Sequence, residues 1–171
     1  YFGGGMNAIV FQEMREARGL AYSSQANLYG PSYKDDSYMY YAFIATQNDK
    51  MIDALEAFDE IINDMPLSDN AFDIAKESLL ANIRTTRVVK SDVLSRYVRM
   101  RDLGLNYDIN KDIFEKVQGY TMKDIVKFQQ EWVKDRKYSI AILGDAKDLD
   151  LKGLKEYGNI RKVSTEEIFG Y

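Results

Sequence analysis

The first 45 residues decide the fold: Tyr1–Ala45 reads YFGGGMNAIVFQEMREARGLAYSSQANLYGPSYKDDSYMYYAFIA. A helical pattern opens behind the three glycines and ends at Arg18-Gly19, a basic last turn followed by glycine. The periodicity then changes to two over Leu20–Tyr29, which predicts a strand. Gly30-Pro31 predicts a turn, and the apolar run Tyr38–Ala45 predicts a second strand. Consecutive strands joined by a short turn predict an antiparallel hairpin.

The rest of the sequence is mainly helical in pattern. Two further strands are predicted at Lys137–Leu143 and near Asn159–Val163. Four strands and about six helices predict an α+β fold, a two-layer sandwich with helices packed on one face of a mainly antiparallel sheet. Because the opening helix needs a surface to pack against, we expect one or more sheet strands to precede Tyr1. Trp132 is predicted to lie in the core. Helices are predicted to begin at Asn48 or Asp49, at Ser68, at Ser91, near Lys111, at Thr121 and around Asp148.

Composition excludes several kinds of chemistry. The 171 residues contain no His and no Cys, so the usual zinc ligands, a Ser-His-Asp triad and a cysteine nucleophile are all missing. A formal net charge of -4 argues against a nucleic-acid partner, since such proteins usually present a basic face. No apolar run approaches the roughly 20 residues that a membrane-spanning helix needs. Chemistry intrinsic to the chain is therefore limited to carboxylate, Tyr, Lys and Ser side chains.

The stretch from Tyr1 to Ser24 resembles the C-terminal-type domain of the M16 zinc metallopeptidases, which include pitrilysin, insulin-degrading enzyme and mitochondrial processing peptidase. The shared pattern is a Gly-rich turn, a helix ending in Arg-Glu, and Gly-Leu-Ala-Tyr entering a strand. The resemblance implies that residues 1–171 form one M16 C-terminal-type domain, truncated at its N-terminus.

The resemblance also implies a division of labour between two homologous halves. The active half binds zinc, and the other half supplies an Arg and a Tyr that reach toward the substrate at the zinc site. The matching positions here are Arg15 and Tyr22. A chain without His resembles this second half, which holds no cofactor itself. The implied partners are a complementary zinc-binding domain, in the same polypeptide or a separate subunit, and a peptide substrate.

The residue types at these two positions suit that role. A guanidinium offers several fixed donors to a peptide carbonyl or carboxylate, and a Tyr hydroxyl can donate to an oxyanion. Because Gly19 breaks the helix between them, Arg15 and Tyr22 are predicted to point to the same rim. The structural alternatives are a helix-dipole contact for Arg15 and strand packing for Tyr22.

Two other features near the start are weaker candidates. Glu13 and Glu16 share a helix face, but a solvated face is favoured over a paired-carboxylate site. Gly3, Gly4 and Gly5 precede a helix without the Lys or Ser/Thr of a phosphate loop. They are interpreted as a turn with close backbone approach, on the side of the peptide substrate.

Three functions are compatible with the sequence. The first is the substrate-binding, transition-state-assisting half of an M16 peptidase that cleaves peptides in a closed chamber, with one hairpin face lining the chamber. The alternative is a catalytically inactive M16-like scaffold or assembly domain, and a third is an unrelated α+β ligand-binding module. The compartment stays open, and the resemblance favours the periplasm or cell envelope over the cytoplasm.

Overall fold

The computed structural model describes residues 1–171 and contains eight helices and one two-stranded sheet. Two of the helices, α1 and α6, continue directly as π-helical turns, at Gln12–Ala17 and Gln129–Val133. The elements are α1 (Ile9–Phe11), β1 (Ser23–Tyr29), β2 (Met39–Ala45), α2 (Met51–Asn63), α3 (Asp69–Thr85), α4 (Lys90–Asp102), α5 (Asn110–Gly119), α6 (Met122–Phe128), α7 (Leu151–Leu154) and α8 (Thr165–Phe169).

The hairpin forms as the sequence predicts. β1 and β2 pair antiparallel, with Ser23 opposite Ala45 at one end and Tyr29 opposite Met39 at the other. Successive strand residues point to opposite faces, so the hairpin has an inner face and an outer face. Ser24 and Ala26 are buried on the inner face.

The core lies between that inner face and the first two helical elements. Small residues of α2, with the larger Phe58 and Ile61, pack against the opening helix and the start of β1. Met14, Ile61 and Val10 are fully buried. The core cluster comprises Ile9, Val10, Met14, Ala21, Ala26, Ala54, Ala57, Phe58, Ile61 and Ile62. This packing confirms an α+β architecture with helices on one face of the hairpin.

The helix starts agree with the predicted capping residues at two positions and differ at a third. The Ser68 hydroxyl accepts from the Ala71 backbone N–H at 3.2 Å. The Asp124 carboxylate accepts from both the backbone N–H and the hydroxyl of Thr121 at 2.7 Å, and these bonds lower the pKa of Asp124. The prediction for Ser91 is wrong, because α4 begins one residue earlier and the Ser91 hydroxyl donates to Asp92 instead.

The two strands predicted near the C-terminus are not formed. Neither Lys137–Leu143 nor residues 159–163 make any backbone–backbone hydrogen bond, and both segments are exposed. Strand formation needs a ladder partner as well as apolar residues, and no other segment of the chain pairs with either of them. The segment Lys137–Leu143 nevertheless contacts α2, because the Tyr138 hydroxyl donates a hydrogen bond to Asp59 at 2.9 Å.

The surface is large for a chain of this mass. The accessible area is 12906 Å², whereas a compact monomer of this mass would expose about 8,600 Å². Trp132, predicted to be in the core, has 65% of its surface exposed. It lies on the π-helical turn after α6. This turn contacts α2, but the Trp132 side chain remains mostly exposed. None of the helices combines the length and apolarity needed to span a bilayer.

Candidate functional site

The opening helix places Arg15 in its last turn, and a sharp reversal brings Tyr22 beside it. Gly19 has a φ of +59°, the left-handed conformation that glycine adopts most readily. The chain then turns back so that the backbone N–H groups of Leu20 and Ala21 both donate to the Met14 carbonyl. Tyr22 follows at the beginning of the hairpin, where its backbone N–H donates to the Ala45 carbonyl at 2.8 Å.

Arg15 and Tyr22 lie together at the Ser23–Ala45 end of the hairpin. The Arg15 guanidinium carbon is 6.0 Å from the centre of the Tyr22 ring and 5.1 Å from that of Phe11. These distances are within the range of cation–π contacts. Tyr22 is 84% exposed, and its hydroxyl makes no hydrogen bond within the chain. The pair therefore presents a free phenol and a stacked guanidinium to the outside.

The neighbouring Arg18 has a different role. One of its guanidinium nitrogens, Nη1, lies 2.8 Å from a Glu60 carboxylate oxygen on α2, and its Nε lies 3.8 Å from Glu13. The hydrogen bond to Arg18 lowers the pKa of Glu60. Arg15, by contrast, has only the carboxylate of Glu16, at 3.6 Å. Arg18 thus joins two helices, while Arg15 is left for an external contact.

Glu13 and Glu16 have separate basic partners rather than one shared site. Glu13 faces Arg18 and Glu16 faces Arg15. Each carboxylate lies beside its own arginine, and the solvated-face interpretation accounts for both. No group of three or more His, Cys, Asp or Glu side chains is arranged to hold a metal ion.

The three glycines form one wall of a cleft beside β1. A Cβ atom on Gly3 would lie 2.0 Å from the Ala26 carbonyl oxygen, so the turn touches the strand backbone there. Gly4 and Gly5 have open space where a side chain would be. The cleft has a volume of about 290 Å³ and its lining includes the side chains of Gln25 and Asn27.

The sequence predicted that Arg15 and Tyr22 meet, but it did not point to Phe11 beside Arg15 or to Gln25 and Asn27 in the glycine-turn cleft. Phe11 is one helical turn before Arg15, a spacing that places side chains on the same face and could have indicated the stacking. Gln25 and Asn27 are outward positions in the alternating strand, and the period of two was the available signal.

Known proteins that are similar to this chain in sequence or structure have the same kind of architecture. The family model described as the peptidase M16 inactive domain matches residues 1–79. That segment spans the glycine turn, Arg15, Tyr22, the hairpin, α2 and most of α3. No curated protein matches the chain.

A crystal structure of a peptidase M16 inactive domain from Pseudomonas fluorescens is similar in fold, with a TM-score of 0.55 and 18% sequence identity. The similarity covers 75% of this chain and 31% of that one, so the chain spans about a third of the length of the solved structure. The family match thus covers residues 1–79, a little under half of the chain, and the solved structure is similar to it in fold.

Proposed function

We propose that the chain is the substrate-contacting half of an M16 metallopeptidase. A complementary domain, in the same polypeptide or a separate subunit, holds the zinc. In this proposal the two halves enclose a peptide, and Arg15 and Tyr22 contact it at the bond to be cleaved. The chain contributes positioning and charge stabilisation and is inactive alone.

The observation that supports this proposal is the contrast between the two arginines. Arg18 is engaged with Glu60 at 2.8 Å, whereas Arg15 stacks beside an exposed Tyr22. A guanidinium that contacts aromatic rings and has no hydrogen bond within the chain keeps its donors free for a peptide carbonyl. A phenol hydroxyl beside it can donate to the oxygen on which negative charge develops.

The test combines the chain with the zinc-bearing domain encoded upstream or in the neighbouring reading frame, which is identified by a His-x-x-Glu-His motif. Cleavage of an internally quenched, unstructured peptide is measured. Tyr22→Phe removes only the donor and is expected to lower kcat about a hundredfold, the loss typical of one oxyanion donor. Arg15→Ala is expected to raise KM as well.

Arg18→Ala is the matched control, because Arg18 lies three residues from Arg15 but points to α2. We expect its turnover to stay near the wild-type value at a temperature where the variant is folded. Wild-type turnover in both Arg15→Ala and Tyr22→Phe would contradict the proposed role.

A scaffold is the second candidate function, favoured by the large exposed surface. In this case the chain assembles with a partner without any cleavage. A partner domain that itself lacks His-x-x-Glu-His, and a complex that leaves the quenched peptide intact, would favour the scaffold over the peptidase.

A further inference from the structure

The outer face of the hairpin is free of charge over its whole length. Its eight residues come from alternate positions of both strands, and helices cover only the opposite face. Charged residues make up 29% of the chain, so a solvent-facing sheet surface of this size without one is unusual for this protein. The residues of this outer face are Ser23, Gln25, Asn27 and Tyr29 on β1 and Met39, Tyr41, Phe43 and Ala45 on β2.

The outer face combines exposed rings with unused amides. Tyr29 and Tyr41 form a tilted pair with ring centres 6.3 Å apart, and Phe43 lies exposed on the same strand. The side-chain amides of Gln25 and Asn27 make no hydrogen bond within the chain. An amide offers both donors and an acceptor, which is what the backbone of an extended peptide requires. The same two amides border the cleft at the glycine turn.

We propose that this outer face binds an extended, uncharged segment of polypeptide bearing aromatic or aliphatic side chains, and discriminates against charged segments. This inference rests on the proposed function and adds the substrate class. A charged side chain laid against the face would lose water without meeting an opposite charge, and such desolvation is unfavourable. Aromatic rings and amides, in contrast, are well matched to apolar side chains and peptide groups.

The size of the face favours a peptide over a second copy of the chain. Two paired seven-residue strands are each about 24 Å long and each take up about 5 Å of width. Their shared face is therefore about 24 Å by 10 Å, or roughly 240 Å². A stable protein–protein interface needs about 800 Å² from each partner. An extended segment of six or seven residues covers the hairpin face completely.

The experiment measures binding to the full 171-residue chain by titration calorimetry. The probe is an eight-residue peptide, capped at both ends, in which Phe and Leu alternate with Ser and Asn. An acidic twin has two Ser replaced by Glu, and a basic twin has two Ser replaced by Lys. We expect the uncharged probe to bind at least tenfold more tightly than either twin. Equal affinity for the three peptides would overturn the proposal.

Two variants locate the binding on this face. Gln25→Lys introduces a positive charge and is expected to raise the affinity for the acidic twin at least fivefold relative to the basic twin, a charge-selective change that a purely structural residue would not produce. Tyr41→Ala is expected to weaken all three peptides. Tyr33→Ala is the control, since Tyr33 is 62% exposed but lies in the connection between the strands.

The remaining outcomes also decide the matter. An unchanged ratio between the affinities for the acidic and the basic twin in Gln25→Lys would overturn the proposal. So would a concentration-dependent dimer, seen by sedimentation and lost in Tyr41→Ala, since the occupant would then be a second copy. The assay involves no cleavage and leaves Arg15 and Tyr22 unaltered. Its failure is therefore distinct from a failure of the proposed peptidase role.

Discussion

At the scale of single residues, the glycine turn shows how closely the backbone is fitted to β1. Gly3 lies against the Ala26 carbonyl, while Gly4 next to it faces open space. The sequence predicted a close backbone approach somewhere in Gly3–Gly5. It could not tell which glycine made the approach, because the contact is with a residue more than twenty positions away.

Gly3→Ala is expected to destabilise the fold. The added Cβ would lie 2.0 Å from the Ala26 carbonyl oxygen. Relieving this clash requires the turn and the strand to separate, at a cost of about 1–3 kcal/mol or more. Gly4→Ala should change the free energy of unfolding by less than about 0.5 kcal/mol. Urea denaturation of both variants checks this. Equal effects would show that the turn does not touch β1.

A second prediction concerns the Arg18–Glu60 pair and its dependence on pH. The hydrogen bond from Arg18 lowers the pKa of Glu60 from its ordinary 4.5. A lowered pKa in the folded state means that the pair contributes stability above pH 4.5, which is lost as the pH falls through the lowered value. At pH 7, Arg18→Ala should lower Tm by about one to three degrees.

The difference in Tm between this variant and the wild type should shrink as the pH falls from 7 through the lowered pKa of Glu60. Thermal melts of both proteins across this range give the comparison. Arg15→Ala serves as control, because its carboxylate neighbour Glu16 is on the same helix and connects no second element. A pH-independent difference for Arg18→Ala would mean that packing of its side chain dominates.

At the scale of elements, the helices were more predictable than the strands. Ser68 and Thr121 cap helices through contacts with residues three positions later, so a short stretch of sequence is enough to predict where these helices begin. Lys137–Leu143 has the composition of a strand, but pairing depends on a distant segment, which no local pattern specifies. The hairpin could be predicted because its two strands are neighbours in sequence.

The two serines that sequence analysis treated alike provide a prediction about helix starts. Ser68→Ala should lower the free energy of unfolding by about 1 kcal/mol, since its hydroxyl satisfies the Ala71 N–H. Ser91→Ala is expected to be neutral, because that hydroxyl bonds Asp92 rather than a backbone N–H. Chemical denaturation measures both. A loss in Ser91→Ala equal to that in Ser68→Ala would restore the original prediction.

At the scale of the whole molecule, the native accessible surface of 12906 Å² limits how much additional surface the chain can expose when it unfolds. The m-value of denaturation scales with the surface that unfolding newly exposes. Because the native chain already exposes much of its surface, its m-value in urea should be about a fifth below that of a compact protein of 171 residues. A value equal to the compact reference would show that the exposed segments are covered in solution.

The Arg15–Tyr22 pair could be predicted from the sequence, but the outer face of the hairpin could not. Arg15 and Tyr22 are separated by a helix break that the sequence displays as Gly19, so their meeting could be inferred. The charge-free outer face can be recognised only when the pairing register, with Asn27 opposite Tyr41, is known. That register depends on the pairing of two strands and is visible only in three dimensions.

Trp132 gives the molecule an optical reporter. It is the chain's one tryptophan, and its ring stands in water on the π-helical turn after α6. Its emission should be red-shifted and readily quenched by iodide in the isolated chain. Any domain that settles over this side of the molecule would shift the emission to the blue and shield the ring. Assembly could thus be followed in real time without attaching a label.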